Sequence, residues 1–139
     1  MGSEFTFYDY FDADGGGDNV IKSWLNGEGK PAKAYFTMLI PRLEASPPPS
    51  FKDSVWGGKH TKFMKNKKGK WYGFIELRKL GKVQFRLIAQ MQGRSVFLVA
   101  CGIHKGHKYD TDVSSQTALS RVTQMINNPA RYRREHEYD

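Results

Sequence analysis

Between residues 71 and 105 the spacing of apolar residues changes from helical to alternating, and that change restricts the fold more than any other feature. Three runs, 71–79, 82–91 and 94–104, are separated by Leu80-Gly81 and Gln92-Gly93. Both breaks are short and contain glycine, as hairpins between antiparallel strands require. In the middle run Val83, Phe85, Leu87, Ala89 and Met91 point one way, and Gln84, Arg86, Ile88 and Gln90 the other. The last run holds Val96-Phe97-Leu98-Val99-Ala100-Cys101, continuously apolar, which suits a strand covered on both faces. A three-stranded meander is therefore expected at the centre of the molecule.

Upstream of it, residues 6–11 read as a short first strand, and Asp12 to Asp18 as a flexible acidic turn. Counted from Asp12, the twelfth position is Ser23 and not the bidentate Glu of an EF-hand loop. Val20, Ile21, Trp24 and Leu25 recur at one-turn spacing, with Asp18 or Asn19 able to cap the start and Gly27 the end. A second helix over 30–45 carries Ala34, Tyr35, Met38, Leu39 and Leu43; Pro31 fits its first turn, and Pro41 is expected to kink it. The two read as an antiparallel helical hairpin. Ser46-Pro47-Pro48-Pro49-Ser50 then breaks regular structure within one domain. After the meander, Asp112 or Ser114 is expected to cap a helix bearing Leu119, Val122 and Ile126, stopped at Pro129.

The fold class expected is α+β: an antiparallel three- to four-stranded sheet packed on an N-terminal helical hairpin, with a C-terminal helix. Residues 1–5 read as vector-derived, 6–128 as a single domain and 129–139 as a mobile charged tail.

Charge is unevenly placed. Residues 1–50 carry four Lys/Arg and seven Asp/Glu, or −3, whereas residues 51–139 carry eighteen and seven, or +11. The second part would attract a phosphate backbone and release its counterions. Within 59–82 lie nine Lys/Arg, among them Lys65, Lys67, Lys68 and Lys70, with Glu76 the single acid and with Phe63, Trp71, Tyr72 and Phe74 interleaved. Cations among rings suit RNA, whose unstacked bases rest on aromatic faces. Rings filling a core beneath a solvated loop are the plainer alternative. No apolar run approaches the roughly 20 residues of a membrane-spanning helix, and no signal peptide is evident. A lone cysteine, Cys101, leaves a reducing cytoplasm as the expected setting.

Read in order, these elements resemble the RelE/ParE superfamily of bacterial toxins, in particular its HigB-like and phage-derived branch. Trp71-Tyr72-Gly73-Phe74-Ile75-Glu76-Leu77-Arg78 is similar to that family's aromatic-x-x-x-E-L-R strand. Val83-Gln84-Phe85-Arg86-Leu87-Ile88 resembles its Y-R-hydrophobic strand, with Phe85 for the usual Tyr. Gly102-Ile103-His104-Lys105-Gly106-His107-Lys108 is comparable to its G-F-x-K-K segment, with the lysine pair opened out. The likeness spans about residues 20–126. Where some RelE-type enzymes place lysines two and four residues ahead of the arginine, this strand has Glu76 and Phe74. The resemblance implies a type II toxin that cleaves mRNA, often on the ribosome and without a metal or other cofactor, and that a cognate antitoxin holds inactive. It also leaves open an RNA- or ribosome-binding module without cleavage, and a ParE-like inhibitor of a protein such as gyrase.

RNA breaks when its own 2′-OH attacks the adjacent phosphate, helped by a base, a cation beside the developing phosphorane and an acid at the departing oxygen. Arg86 is the first candidate for the cation, because a guanidinium meets two phosphate oxygens and stays protonated; Arg78 is the second. Cross-strand ion pairs with Glu76 are the structural alternative for both. His104, His107 and Tyr109 are candidates for base and acid. Lys105, Lys108, Lys65, Lys67, Lys68, Lys70 and Tyr72 are candidates for substrate binding. His104 and His107 with His60 lack the Cys or carboxylate set of a zinc site, and no Gly-rich phosphate loop or dinucleotide fingerprint is present. Cys101, Trp24 and Trp56 read as packing residues.

Overall fold

The computed structural model describes residues 4–64, 70–105 and 108–137, with the backbone alone at 108–110. In chain order come strand β1 (Thr6–Asp12), strand β2 (Asp18–Asn19), helix α1 (Val20–Asn26), a 3-10 turn (Lys30–Ala32) and helix α2 (Lys33–Ala45). Strands β3 (Thr61–Phe63), β4 (Phe74–Lys79), β5 (Val83–Gln92), β6 (Ser95–Lys105) and β7 (Lys108–Thr111) follow. Then come helix α3 (Ser115–Asn127), helix α4 (Pro129–Tyr132) and strand β8 (Arg133–Glu135).

Strands β4, β5 and β6 form the expected meander, antiparallel from Phe74 opposite Gln90 to Lys79 opposite Phe85, and from Gln92 opposite Ser95 to Val83 opposite Lys105. Gly93 turns the β5–β6 hairpin at φ +60°, a conformation that a two-residue loop needs and a side chain resists. Helix α1 is capped as its sequence suggests, the Asn19 side chain accepting from the Lys22 N–H at 2.9 Å. Ser114 does the same for α3 through the Thr117 N–H at 3.2 Å.

The sheet itself departs from expectation. It is mixed, not antiparallel, and among the described residues has seven strands besides the two-residue β2, which pairs with the end of β1. Strand β1 runs parallel to β6, placing Phe7 beside Val96 and Tyr8 beside Phe97. Strand β7 folds back along the second half of that same edge of β6, β8 lines the far side of β1, and β3 lies beyond β4. Among the described residues four helices stand after or between strands, and no N-terminal helical hairpin leads them. The physical reason is that partners distant in sequence, such as β1 and β6, leave no local period to read; their register is set only when the side chains meet.

Where β1 ends and β7 has not begun, the edge of β6 lacks a neighbouring strand, and side chains fill in. Arg121 donates to the Val99 carbonyl at 2.8 Å, while the Asp112 carboxylate accepts from the Cys101 N–H at 2.8 Å. These two are themselves an ion pair at 3.3 Å. Buried backbone groups are thus satisfied without a strand.

Both faces of β6 are covered. On one, Ile21, Leu25, Phe36 and Ile40 pack against Phe7, Leu77, Leu87 and Leu98; on the other, Ala118, Val122 and Met125 meet Tyr10, Phe74, Ile88 and Phe97. The buried stripe of α3 is therefore rotated from the expected one, and Leu119 and Ile126 lie 53% and 48% exposed. Phe5, set aside with the leader, belongs to the core against Trp56, ring centres 5.4 Å apart. The charged segment after residue 128 is no free tail: α4 and β8 pack on β1, and Asp14 of the acidic turn bonds Arg131 and Tyr132.

Candidate nucleic-acid interface

Alternation along β4 and β5 sends Glu76, Arg78, Gln84 and Arg86 to the face that α3 partly covers. Strand β6 joins them through an irregularity. Ala100 lies opposite Ile88 but Leu98 opposite Ala89, so Val99 is an extra residue, a β-bulge. The bulge reverses the alternation and puts Phe97 and His104 on the same face, which strict period two would have separated.

On that face Arg86 is enclosed, 8% exposed. Its Nη1 donates to Glu76 Oε1 at 2.8 Å, and its Nη2 to Gln84 Oε1 at 2.6 Å. The same Nη2 lies 3.0 Å from His104 Nδ1. Glu76 is itself buried, so the pair's lost hydration is offset by an amide and an imidazole in addition to the carboxylate. The first candidate for a phosphate-binding fork thus spends its terminal nitrogens inside the protein.

Its contact with His104 has a chemical consequence. A guanidinium only donates, so Nδ1 of His104 must accept, and the ring's proton resides on Nε2. In that tautomer Nε2 is a hydrogen-bond donor, and the ring's one lone pair, on Nδ1, faces Arg86.

Arg78 differs from Arg86 although the two stand directly opposite each other across β4 and β5. It is half-buried, its Nε is buried with no hydrogen-bond partner among the described residues, and no carboxylate among them pairs with it. Its backbone is fixed from the other side of the sheet. The Tyr35 hydroxyl donates to the Arg78 carbonyl at 3.1 Å and is hydrogen-bonded to Nδ1 of His60. Burial pushes the Tyr35 hydroxyl above its ordinary value, which keeps it protonated as the donor. His60 therefore belongs with Tyr35, and among the described residues no three His, Cys, Asp or Glu side chains are grouped to hold a metal.

The remaining expected residues divide. Lys70 lines an open groove of about 660 Å³ with Trp71 and the start of α3, and Tyr72 beside it is 80% exposed. Lys105 lies on the opposite face from His104, in a groove with Trp24, Glu28 and Asp112, and is not brought to Arg78. Lys65, Lys67, Lys68 and His107 lie outside the described residues, as do the side chains of Lys108 and Tyr109. Cys101 is buried, and desolvation holds its thiol well above its ordinary value, so it is core and not nucleophile.

One polar centre escaped the sequence reading. Asp9, 2% exposed, accepts from Asn19 at 3.0 Å and lies 2.8 Å from His136 Nδ1, at the wall of a cavity of about 220 Å³ between β1, β8 and the α1–α2 pair. A lone acid alternating with Phe7 and Phe11 was the available signal, yet its partner sits in a segment read as a tail. No protein-family model matches the chain, and no curated protein and no solved structure matches it either.

Proposed function

We propose that this chain is a toxin that blocks translation by cleaving mRNA without a metal, as the likeness of 71–78, 83–88 and 102–108 to RelE/ParE strands implies. The observation that carries the reading is the contrast across β4 and β5. Arg86 has its charge balanced by Glu76, while Arg78, in register with it, has no carboxylate partner among the described residues. Arg78 then meets the phosphate, and Arg86 is a positioning residue that fixes His104 as an Nε2 donor. Both donors act on the phosphorane, where negative charge grows as the 2′ oxygen bonds to phosphorus and the bond to the 5′ oxygen breaks. Removal of the 2′ proton and delivery of one to the 5′ oxygen fall to His107 and Tyr109, the family-type candidates left once His104 is a fixed donor. The products are a 2′,3′-cyclic phosphate and a 5′-hydroxyl.

The +11 charge of residues 51–139 supports a polyanionic substrate, mRNA on or off the ribosome, and an antitoxin that is acidic where it covers this face. No described helix is long and apolar enough to cross a membrane, which agrees with action in the cytoplasm, where mRNA is translated. A second reading, RNA or ribosome binding without cleavage, is favoured by the internal engagement of Arg86.

Induction in a bacterial host separates them. The first reading requires growth arrest with truncated transcripts, and growth restored by Arg78→Gln. Arrest with intact transcripts supports the second, and arrest with DNA damage but intact mRNA contradicts both.

A further inference from the structure

Arg133, on the outermost strand β8, has the opposite character to Arg86. Its guanidinium lies over two rings at once, 4.7 Å from the centre of Tyr8 and 5.3 Å from that of Phe97. The rings meet edge to face at 6.1 Å. They belong to neighbouring strands in direct register, so the platform is built by the parallel β1–β6 pair. Among the described residues no hydrogen bond or ion pair reaches the Arg133 side chain, although Glu135 lies two residues on. A cation held over aromatic rings loses little freedom on binding, and cation–π contact leaves its N–H donors for a ligand.

The surroundings specify the ligand further. Gln90 stands in register with Phe97, and Gln92 donates to Gln90 at 2.5 Å, so two half-buried amides border the platform. Amides read base edges, and a ring-backed guanidinium grips phosphate; together they suit single-stranded RNA better than an acidic protein, which would use the cation and leave the amides idle. The bulge at Val99 puts this platform on the same sheet face as Arg78, which is level with Gly102 through Arg86, so Phe97 stands about 16 Å along β6 from that level at about 3.3 Å per residue. The distance separates it from the reacting phosphate.

We propose that Arg133, backed by Tyr8 and Phe97 and flanked by Gln90 and Gln92, is a second RNA contact that binds and orients the strand away from the cleavage site. This rests on the RNA reading above, and the two fail in distinguishable ways.

The test is binding of the intact protein to a fluorescent 20-nucleotide single-stranded RNA across a salt series. Arg133→Gln is expected to weaken binding about three- to tenfold at low salt and to lower the salt slope by about 0.7, the signature of one lost phosphate contact on a single strand. Arg133→Lys keeps the charge but not the fork, and should retain the slope while losing part of the affinity. Arg134→Gln is the control, because Arg134 already donates to the Ala130 and Arg133 carbonyls and stacks on Phe11 at 4.0 Å; it should leave the slope unchanged. Should Arg133→Gln not fold, as urea unfolding will reveal, Tyr8→Leu replaces it with a loss of affinity expected at constant slope. The inference is overturned if Arg133→Gln binds like the parent, or loses no more than Arg134→Gln, while Arg78→Gln still weakens binding. Parent protein that binds no RNA at all overturns the reading in the preceding subsection as well. Equal loss with an acidic peptide competitor, and none with RNA, assigns the platform to a protein partner and overturns it too.

Discussion

Arg86 illustrates what a single position can and cannot disclose. Alternation along 82–91 placed it correctly on the polar side of β5, because a strand's period is two. It did not disclose that Glu76, Gln84 and His104 converge on it, since that depends on the stagger of three strands and on the bulge at Val99. The Glu76–Arg86 pair was present among the alternatives because diagonal neighbours on adjacent strands lie within reach of long side chains. Glu76→Gln is expected to cost about 3–5 kcal/mol, because it leaves a guanidinium enclosed without its counter-charge. Replacing both partners, by Leu at 76 and Met at 86, should cost far less. Urea unfolding of the three proteins checks this, and a loss under about 1 kcal/mol for Glu76→Gln would show the pair to be effectively solvated.

At the scale of elements, local signals served well and long-range ones did not. The caps at Asn19 and Ser114 and the three meander strands were legible because propensity and period act over a few residues. The parallel partnership of β1 with β6, and the docking of α4 and β8 on β1, were not, because nothing in 129–137 alone distinguishes an edge strand from a charged tail. Part of that docking is electrostatic. Hydrogen bonds from Tyr132 and Arg131 hold the Asp14 carboxyl below its ordinary value. A carboxyl lowered in the folded state stabilises the fold fully above the usual carboxylate range and loses that contribution as pH falls through the lowered value. The parent should therefore exceed Asp14→Asn in thermal midpoint at neutral pH, with the gap closing as the solution is acidified below the carboxylate range. A gap that is the same at neutral and strongly acidic pH would show that Asp14 does not titrate against this contact.

Over the whole molecule, the charge imbalance is partly internal. Acidic residues of the first fifty pair with basic residues near the other end, as Asp14 with Arg131 and Lys22 with Glu137 in the reverse sense, so the chain's extremes are tied across β1. What is left for a polyanion is a sheet face carrying Arg78 near one end and Arg133 near the other, with His104 oriented by an arginine that is itself occupied. Cleavage is the property that the proposed function assigns to such a face. The direct measurement is the chemistry of RNA ends after a reporter transcript is translated with stoichiometric protein. New 5′-hydroxyl ends must appear with the parent chain and fall about 10²- to 10³-fold in rate with Arg78→Gln, the size of effect seen when one donor to a developing oxyanion is removed. Transcripts that remain intact under those conditions, while a RelE-type enzyme cuts them, would contradict the proposed nuclease.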